Sequence, residues 1–222
     1  MKMPLRFTVL LTAGSLALSS CQTTNPYTGE AQRSKATTGA VIGGLLGAGI
    51  GALSGDDSTD RRQKALAGLG IGALAGAGIG AYMDKQEAEL RRELEGTGVG
   101  ISRNGNSISL IMPGDITFST GSASISGQFY PTLDSVGKVL NKYDKTLVDI
   151  TGHTDSVGQR DYNYRLSQSR ASSVAGYLQS KQVNAARFQV TGQGPDSPVA
   201  TNDSEAGRQA NRRVTIQLAP LT

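Results

Sequence analysis

The stretch ITGHTDSVGQRDYNYRLSQSRASSVAGYL, residues 150–178, constrains this chain more than any other. A short β-branched run, a Gly/Asp/Ser turn and a segment of helical apolar spacing follow one another without a break, which predicts strand, turn and helix. At about 100° per residue on that helix, Asn163 and Arg170 share a face with Leu166, Val174, Tyr177 and Leu178. A guanidinium is thereby set among side chains that face a core, which is costly unless an acid meets it. The nearest acid is Asp155, in the turn where the strand gives way to the helix. A carboxylate and a guanidinium held apart by two rigid elements can each take half of a zwitterion, one the ammonium and the other the carboxylate. The same residues also suit plainer roles. Asp155 can be an Asx turn or a helix N-terminal anion, and Arg170 half of a structural ion pair with Asp155 as its partner.

The pattern TGHTDSVG, then YN, then RLSQSRA resembles the signature of the OmpA-like peptidoglycan-binding domain family. The resemblance implies that Asp155 and Arg170 grip the free amino-acid end of meso-diaminopimelate in the peptidoglycan stem peptide. It makes Asn163 a weaker candidate, one that holds the turn rather than the ligand. The closing segment GQGPDSPVATNDSEAGRQANRRV is similar to the family's own and offers Arg212 or Arg213 as a weak further contact. The alternative for that pair, a staple between the last strand and its neighbour, carries equal weight. One departure stands out: the family often has Phe-Asp near the first helix, whereas Phe118 here precedes Ser119 and Thr120. The carboxylate contact expected there is absent.

The chain has 222 residues, and 29 glycines with no tryptophan mean that not all of it is packed core. Its net charge is +4, but Lys2 and Arg6 lie in the leader, and without them the balance is too small to argue for nucleic acid. A single Cys and a single His exclude an internal disulfide and argue against a metal site, and nothing implies a cofactor. No Ser/His/Asp, Cys/His or paired-carboxylate set appears, so an enzyme is not expected. Residues 1–20 read as a secretory signal peptide: a basic start, an apolar run over 7–18 and small residues before Cys21. Leu18-Ser19-Ser20-Cys21 resembles a bacterial lipobox, which implies cleavage before Cys21, diacylglycerol on its thiol and acylation, palmitate included, of the new amine. Gln22 after the cysteine implies sorting to the outer membrane. Residues 21–38 then read as the lipidated Cys and a polar tether.

Residues 39–83 carry two similar segments, GGLLGAGIGAL from Gly43 and GALAGAGIGAY from Gly72, with glycine recurring every four residues. On a helix this spacing makes a smooth stripe against which another backbone can lie. A glycine-zipper helical hairpin is expected, with arms at 39–54 and 65–83 and a polar turn at 56–62; its stripes also suit homo-oligomers. In water each interior glycine costs ~1 kcal/mol against alanine, so packing or a bilayer must compensate. Both arms are at or below the ~20 residues that a span needs. Residues 84–97 read as a charged, solvated helix and linker.

Residues 98–222 remain for one compact domain. Strands are expected at 99–102, 107–112, 147–151, 188–191 and 214–218, with 116–118 a further short extended run. Helices are expected at 128–143, from the Asp155 turn to 181, and at 204–211. The order gives an α/β (α+β) sandwich with helices on one face of a mixed sheet, as the resemblance also implies. The expected whole is a non-catalytic outer-membrane lipoprotein, most like the glycine-zipper members of the family. It would tether the membrane, through acylated Cys21, to peptidoglycan, with its C-terminal domain in the periplasm. The alternative is an oligomeric membrane assembly driven by the zipper, with wall binding only positioning it.

Overall fold

The computed structural model describes residues 22–24, 31–33, 58–76, 78–119 and 121–222. The leader, Cys21, the first glycine arm and Thr120 lie outside the described residues. Near the amino terminus, β1 (Gln22–Thr24) pairs antiparallel with β2 (Ala31–Arg33). Both short strands lie within the stretch read as a polar tether.

The glycine-rich segment differs more from its expectation. Of residues 56–62, read as the hairpin's turn, the described part 58–62 instead opens helix α1 (Ser58–Gly68), with Asp60 in its first turn where the helix dipole favours an acid. The second zipper arm is not one helix. It breaks after Gly68, passes through Gly70 and Gly76 with positive φ, and resumes as α2 (Gly78–Glu93). Such φ values suit glycine and end a helix, so Gly76, one of the stripe residues, also interrupts the stripe. No helix among the described residues is long and apolar enough to cross a membrane.

The rest is a five-stranded sheet in the order β3 (Gly100–Asn104), β4 (Ser107–Pro113), β7 (Arg213–Pro220), β5 (Thr146–His153), β6 (Phe188–Gly192), and the sequence order of its elements follows the expectation closely. Hairpin β3 (Gly100–Asn104) and β4 (Ser107–Pro113) turns at Gly105, whose φ of 56° matches the Asn-Gly signal. The run at 116–118 is not a strand: α3 (Gly114–Thr117) is a single helical turn, and Phe118 makes only an isolated bridge to Ile125. Then come α4 (Tyr130–Lys142), β5 (Thr146–His153), α5 (Arg160–Ser180), β6 (Phe188–Gly192), α6 (Glu205–Asn211) and β7 (Arg213–Pro220). Strands β5 and β6 are parallel, joined by α5 as a crossover, and β7 lies antiparallel between β4 and β5.

Ile108, Leu110, Met112, Val148, Ile150, Val214, Ile216 and Leu218 face α4 and α5 in one buried core. Helix α2 belongs to that core as well. Ile79, Met83, Gln86 and Leu90 recur at helical spacing and are buried, so the expected solvated spacer is a packed element. Its charges misled because they lie on the outer side, where Glu89 and Glu93 pair with Lys142 and Lys138 of α4 at 3.0 Å. Helix α1 uses the other face of the sheet. Leu66 packs with Leu147, Ala219 and Leu221, and Arg62 Nη1 meets Asp149 Oδ1 at 2.6 Å. Leu147 and Asp149 alternate with core-facing Val148 and Ile150, which places α1 opposite α4 and α5.

The approach of α5 to the sheet requires two glycines. Gly152 and Gly192 are paired neighbours on β5 and β6. A Cβ on Gly152 would run into the Ser167 carbonyl, and one on Gly192 into the Gln168 backbone. The contact is fastened by polar bonds: Gly192 N donates to Gln168 Oε1 at 2.6 Å and Gly194 N to Ser167 Oγ at 2.9 Å. A fully buried Arg187 closes the far end of the domain, with no carboxylate bonded to it among the described residues. It donates to the carbonyls of Thr146, Leu140 and Tyr143 at 2.6–3.0 Å, and burial pulls its pKa down to about 10.

Gly152→Ala should cost about 1–3 kcal/mol or more, as overpacking against immovable backbone does, read as a lowered urea midpoint; an unchanged midpoint would contradict the close contact. A fragment of residues 98–222 lacks Met83 and Leu90, both with no exposure, each worth about 1.5–3 kcal/mol when buried. It should unfold at clearly lower urea than a fragment of residues 78–222, and equal midpoints would show that α2 does not dock.

Candidate functional site

The carboxyl end of β5, the start of α5, α3 and the α6–β7 junction converge at one edge of the domain. At that edge the chain leaves β5 through Thr154, whose N–H donates to Gly194 O at 2.9 Å, and turns at Asp155. The turn is held from three sides. Asp155 Oδ1 accepts from Val157 N at 3.0 Å, which is an Asx turn. Asn163 Nδ2 donates to Val157 O at 2.9 Å and to Asp155 O at 3.4 Å. Asn202 Oδ1 accepts from Ser156 N at 3.2 Å. Asn163 is thus committed to the turn by its amide.

Arg170 is buried on the inner face of α5, at 6% exposure. Asp155 does not pair with it. Its Nε donates to Ser122 O at 3.0 Å, and its guanidinium carbon lies 5.1 Å from the centre of the Phe118 ring, within cation–π range. The two terminal nitrogens form no hydrogen bond among the described residues, which leaves a bidentate donor fork unspent. Burial lowers the Arg170 pKa, while Tyr162, Asp115 and Asp155 act in the opposite sense and Arg212 adds to the lowering. The structural ion pair weighed for Arg170 and Asp155 is therefore replaced by a carbonyl and a ring.

The partner that Asp155 does have is Arg212, whose Nη1 donates to Asp155 Oδ2 at 2.8 Å. The same guanidinium reaches Glu205 Oε1 at 2.8 Å and Asp115 Oδ1 at 3.5 Å. These bonds, Asp155 first, hold its pKa above the ordinary arginine value. Its neighbour has a different task. Arg213 is buried and donates to the carbonyls of Asn211 and Ser197 at 3.2 and 3.0 Å, which ties the start of β7 to the loop after β6, while the contact with Asp155 falls to Arg212. The junction separates the two tasks, since Arg212 is the C-cap of α6 and Arg213 the first residue of β7.

Asp115, Ser122 and Asn202 were not identified from sequence, and Phe118 was noted only as a motif position, without its contact to Arg170. Gly114 N donates to Arg212 O at 2.8 Å, so the single turn of α3 abuts the start of β7 and delivers Asp115 beside Arg212. A carboxylate therefore stands at this rim after all, three residues ahead of Phe118. Only the Pro-Gly before it hinted at a tight turn.

His153, paired with Arg213 across the sheet, is 5% exposed, and its Nδ1 has no hydrogen-bond partner. Burial first, and Arg213 second, lower its pKa from 6.5 to about 4. The unfolded chain takes up that proton near pH 6.5 and the folded chain only near pH 4. The stability this residue supports is complete above pH 6.5 and falls by on the order of 3 kcal/mol on acidification to pH 4. His153→Gln should flatten the pH dependence of the urea midpoint in that window; an unchanged slope would exclude His153 as its source.

The model of the OmpA family matches residues 117–212, and that of the YMGG-like Gly-zipper matches residues 1–84. Over 209 residues the chain is 47% identical to a protein of Escherichia coli K12 named "Probable lipoprotein YiaD", covering 94% of each chain. It is 37% identical over 100 residues to outer membrane porin F of Pseudomonas fluorescens, where the match covers 45% of this chain and 31% of the porin. Among solved structures, the cell wall anchor of the T6SS from Pseudomonas aeruginosa superposes with a TM-score of 0.54 at 34% identity, over 60% of this chain and 99% of that one.

Proposed function

Because this chain belongs to the OmpA family and carries a YMGG-like Gly-zipper segment ahead of that domain, we propose that it is a non-catalytic envelope lipoprotein that holds the outer membrane to peptidoglycan. Relatives named as a lipoprotein, an outer membrane porin and a cell wall anchor support that reading. In it, residues 1–20 are removed and acylated Cys21 anchors the chain in the outer membrane. Residues 21–38 and the zipper segment at 39–83 intervene, and the C-terminal domain projects into the periplasm. Three acyl chains at ~0.8 kcal/mol per buried methylene exceed what stable anchoring needs.

The ligand is the free amino-acid end of meso-diaminopimelate in the stem peptide. Its carboxylate is received by Arg170 and its ammonium by Asp155. The observation that carries this is the unspent fork of Arg170, buried behind a ring and a carbonyl but still offering two donors. A buried guanidinium without an acid is costly by itself, and a ligand carboxylate supplies the missing partner. Asn163 acts by holding the turn, and Arg212 by presenting Asp155. Each charged contact is modest, yet a membrane anchor on the same chain raises the effective concentration of wall peptide and makes weak attachment sufficient.

In sedimentation with purified sacculi, Asp155→Ala and Arg170→Ala should each reduce recovery of the full chain by at least about tenfold. That follows from ~1.5–3 kcal/mol for a hydrogen bond to a charged group. Circular dichroism spectra should match the unaltered protein. Full recovery of both variants would end the wall-binding assignment.

A further inference from the structure

We propose that Asp115 is a second carboxylate of the ligand site, which together with Asp155 receives the ligand's ammonium. The inference rests on the wall-binding reading above and concerns how that site chooses its ligand. Asp115 lies on α3, a helix of four residues between β4 and Phe118. Two contacts fix it: Oδ2 accepts from Gln209 Nε2 at 2.8 Å, and Oδ1 stands 3.5 Å from Arg212 Nε. The Gln209 contact ties α3 to α6. The Arg212 contact is long for a charge-assisted hydrogen bond, so Oδ1 keeps most of its capacity as an acceptor. Its side chain is 42% exposed, against 12% for Asp155, so it faces the solvent from which a stem peptide would arrive.

The arrangement of charge gives the two acids a shared task. Arg212 sits between them, bonded to Asp155 on one side and approached by Asp115 on the other. Phe118, three residues beyond Asp115, lies against the Arg170 guanidinium. The field of Asp115 also reaches Arg170, and it ranks ahead of Asp155 among the charges acting there. Two acids thus flank two guanidinium groups at one edge. Of those groups, Arg212 is already engaged by Asp155 and Glu205, whereas Arg170 has its terminal nitrogens unbonded among the described residues. A ligand carboxylate therefore goes to Arg170, and an ammonium on the same carbon is left facing the acids. A ligand with the carboxylate alone meets two negative charges beside its one cation and is disfavoured.

The chemistry selects a carbon bearing both an ammonium and a free carboxylate, with Asp115 contributing to the ammonium half. The plainer role for Asp115, tying α3 to α6 through Gln209, predicts something different, and calorimetry with two ligands separates them. The full chain in detergent is titrated with meso-diaminopimelate and with pimelate, which has the same carbon chain and both carboxylates but no ammonium. Asp115→Asn, which keeps the bond to Gln209 within reach, should weaken meso-diaminopimelate by about tenfold and leave pimelate unchanged or slightly tighter. Asp115→Glu should recover much of the loss. Equal weakening of both ligands, or an unchanged affinity for meso-diaminopimelate, overturns the proposal while leaving Asp155 and Arg170 in their roles. If the unaltered chain binds no meso-diaminopimelate, the wall-binding reading fails and this inference with it.

Discussion

The contact of α5 with the ends of β5 and β6 is the constraint on which the rest of this domain depends. Backbone meets backbone there because Gly152 and Gly192 have no side chains to keep them apart. Ser167 and Gln168 turn the proximity into hydrogen bonds, so the helix is fixed in rotation as well as in distance. Arg170 is less than one turn further along α5 and Asp155 three residues beyond Gly152. The relative placement of the two charged side chains is inherited from two residues that carry no functional group.

The edge so built distributes its charges unequally. Arg212 is surrounded by Asp155, Glu205 and Asp115, and its role is spent inside the protein. Arg170 is buried more deeply and, among the described residues, has less to satisfy it: one carbonyl and one aromatic face. A protein built for stability alone gains little from such a residue, since an apolar side chain of similar volume would fill the space at lower cost. What the guanidinium offers is a directional, bidentate donor behind a water-poor wall, where interactions with an anion are stronger than in bulk solvent. By contrast Arg187, at the other end, has all three guanidinium nitrogens bonded to the protein, which spends four of its five N–H donors.

The glycine-rich segment is divided between two kinds of use. Its described part is not a free helical arm. Leu66 fills a niche with Leu147 and Leu221, Leu74 N donates to Leu221 O at 2.8 Å, and Ile79 and Met83 enter the main core. Helices α1 and α2 bind opposite faces of the sheet, so this part of the chain passes round the domain. A separation between the zipper and the domain at residue 84 would cut through α2.

The strand and helix order was legible in the sequence, because period-two and period-3.6 apolar patterns and Asn-Gly or Pro-Gly turns are local signals. The placement of Arg170 on an inward face and the role of Asn163 were legible for the same reason: spacing along one helix fixes which side chains share a side. Local pattern could not reveal that Asp155 would pair with Arg212, 57 residues away, and not with Arg170. Nor could it bring Asp115 to the rim or turn Arg213 inward, because those facts arise where β7 slots between β4 and β5. The charged run at 84–95 was misread for a related reason. Composition records how many charges a helix has, but only packing against α4 shows which side of it is apolar. Sequence determined the elements and the faces they present; the antiparallel insertion of β7, a long-range pairing that no short window encodes, decided which charges meet.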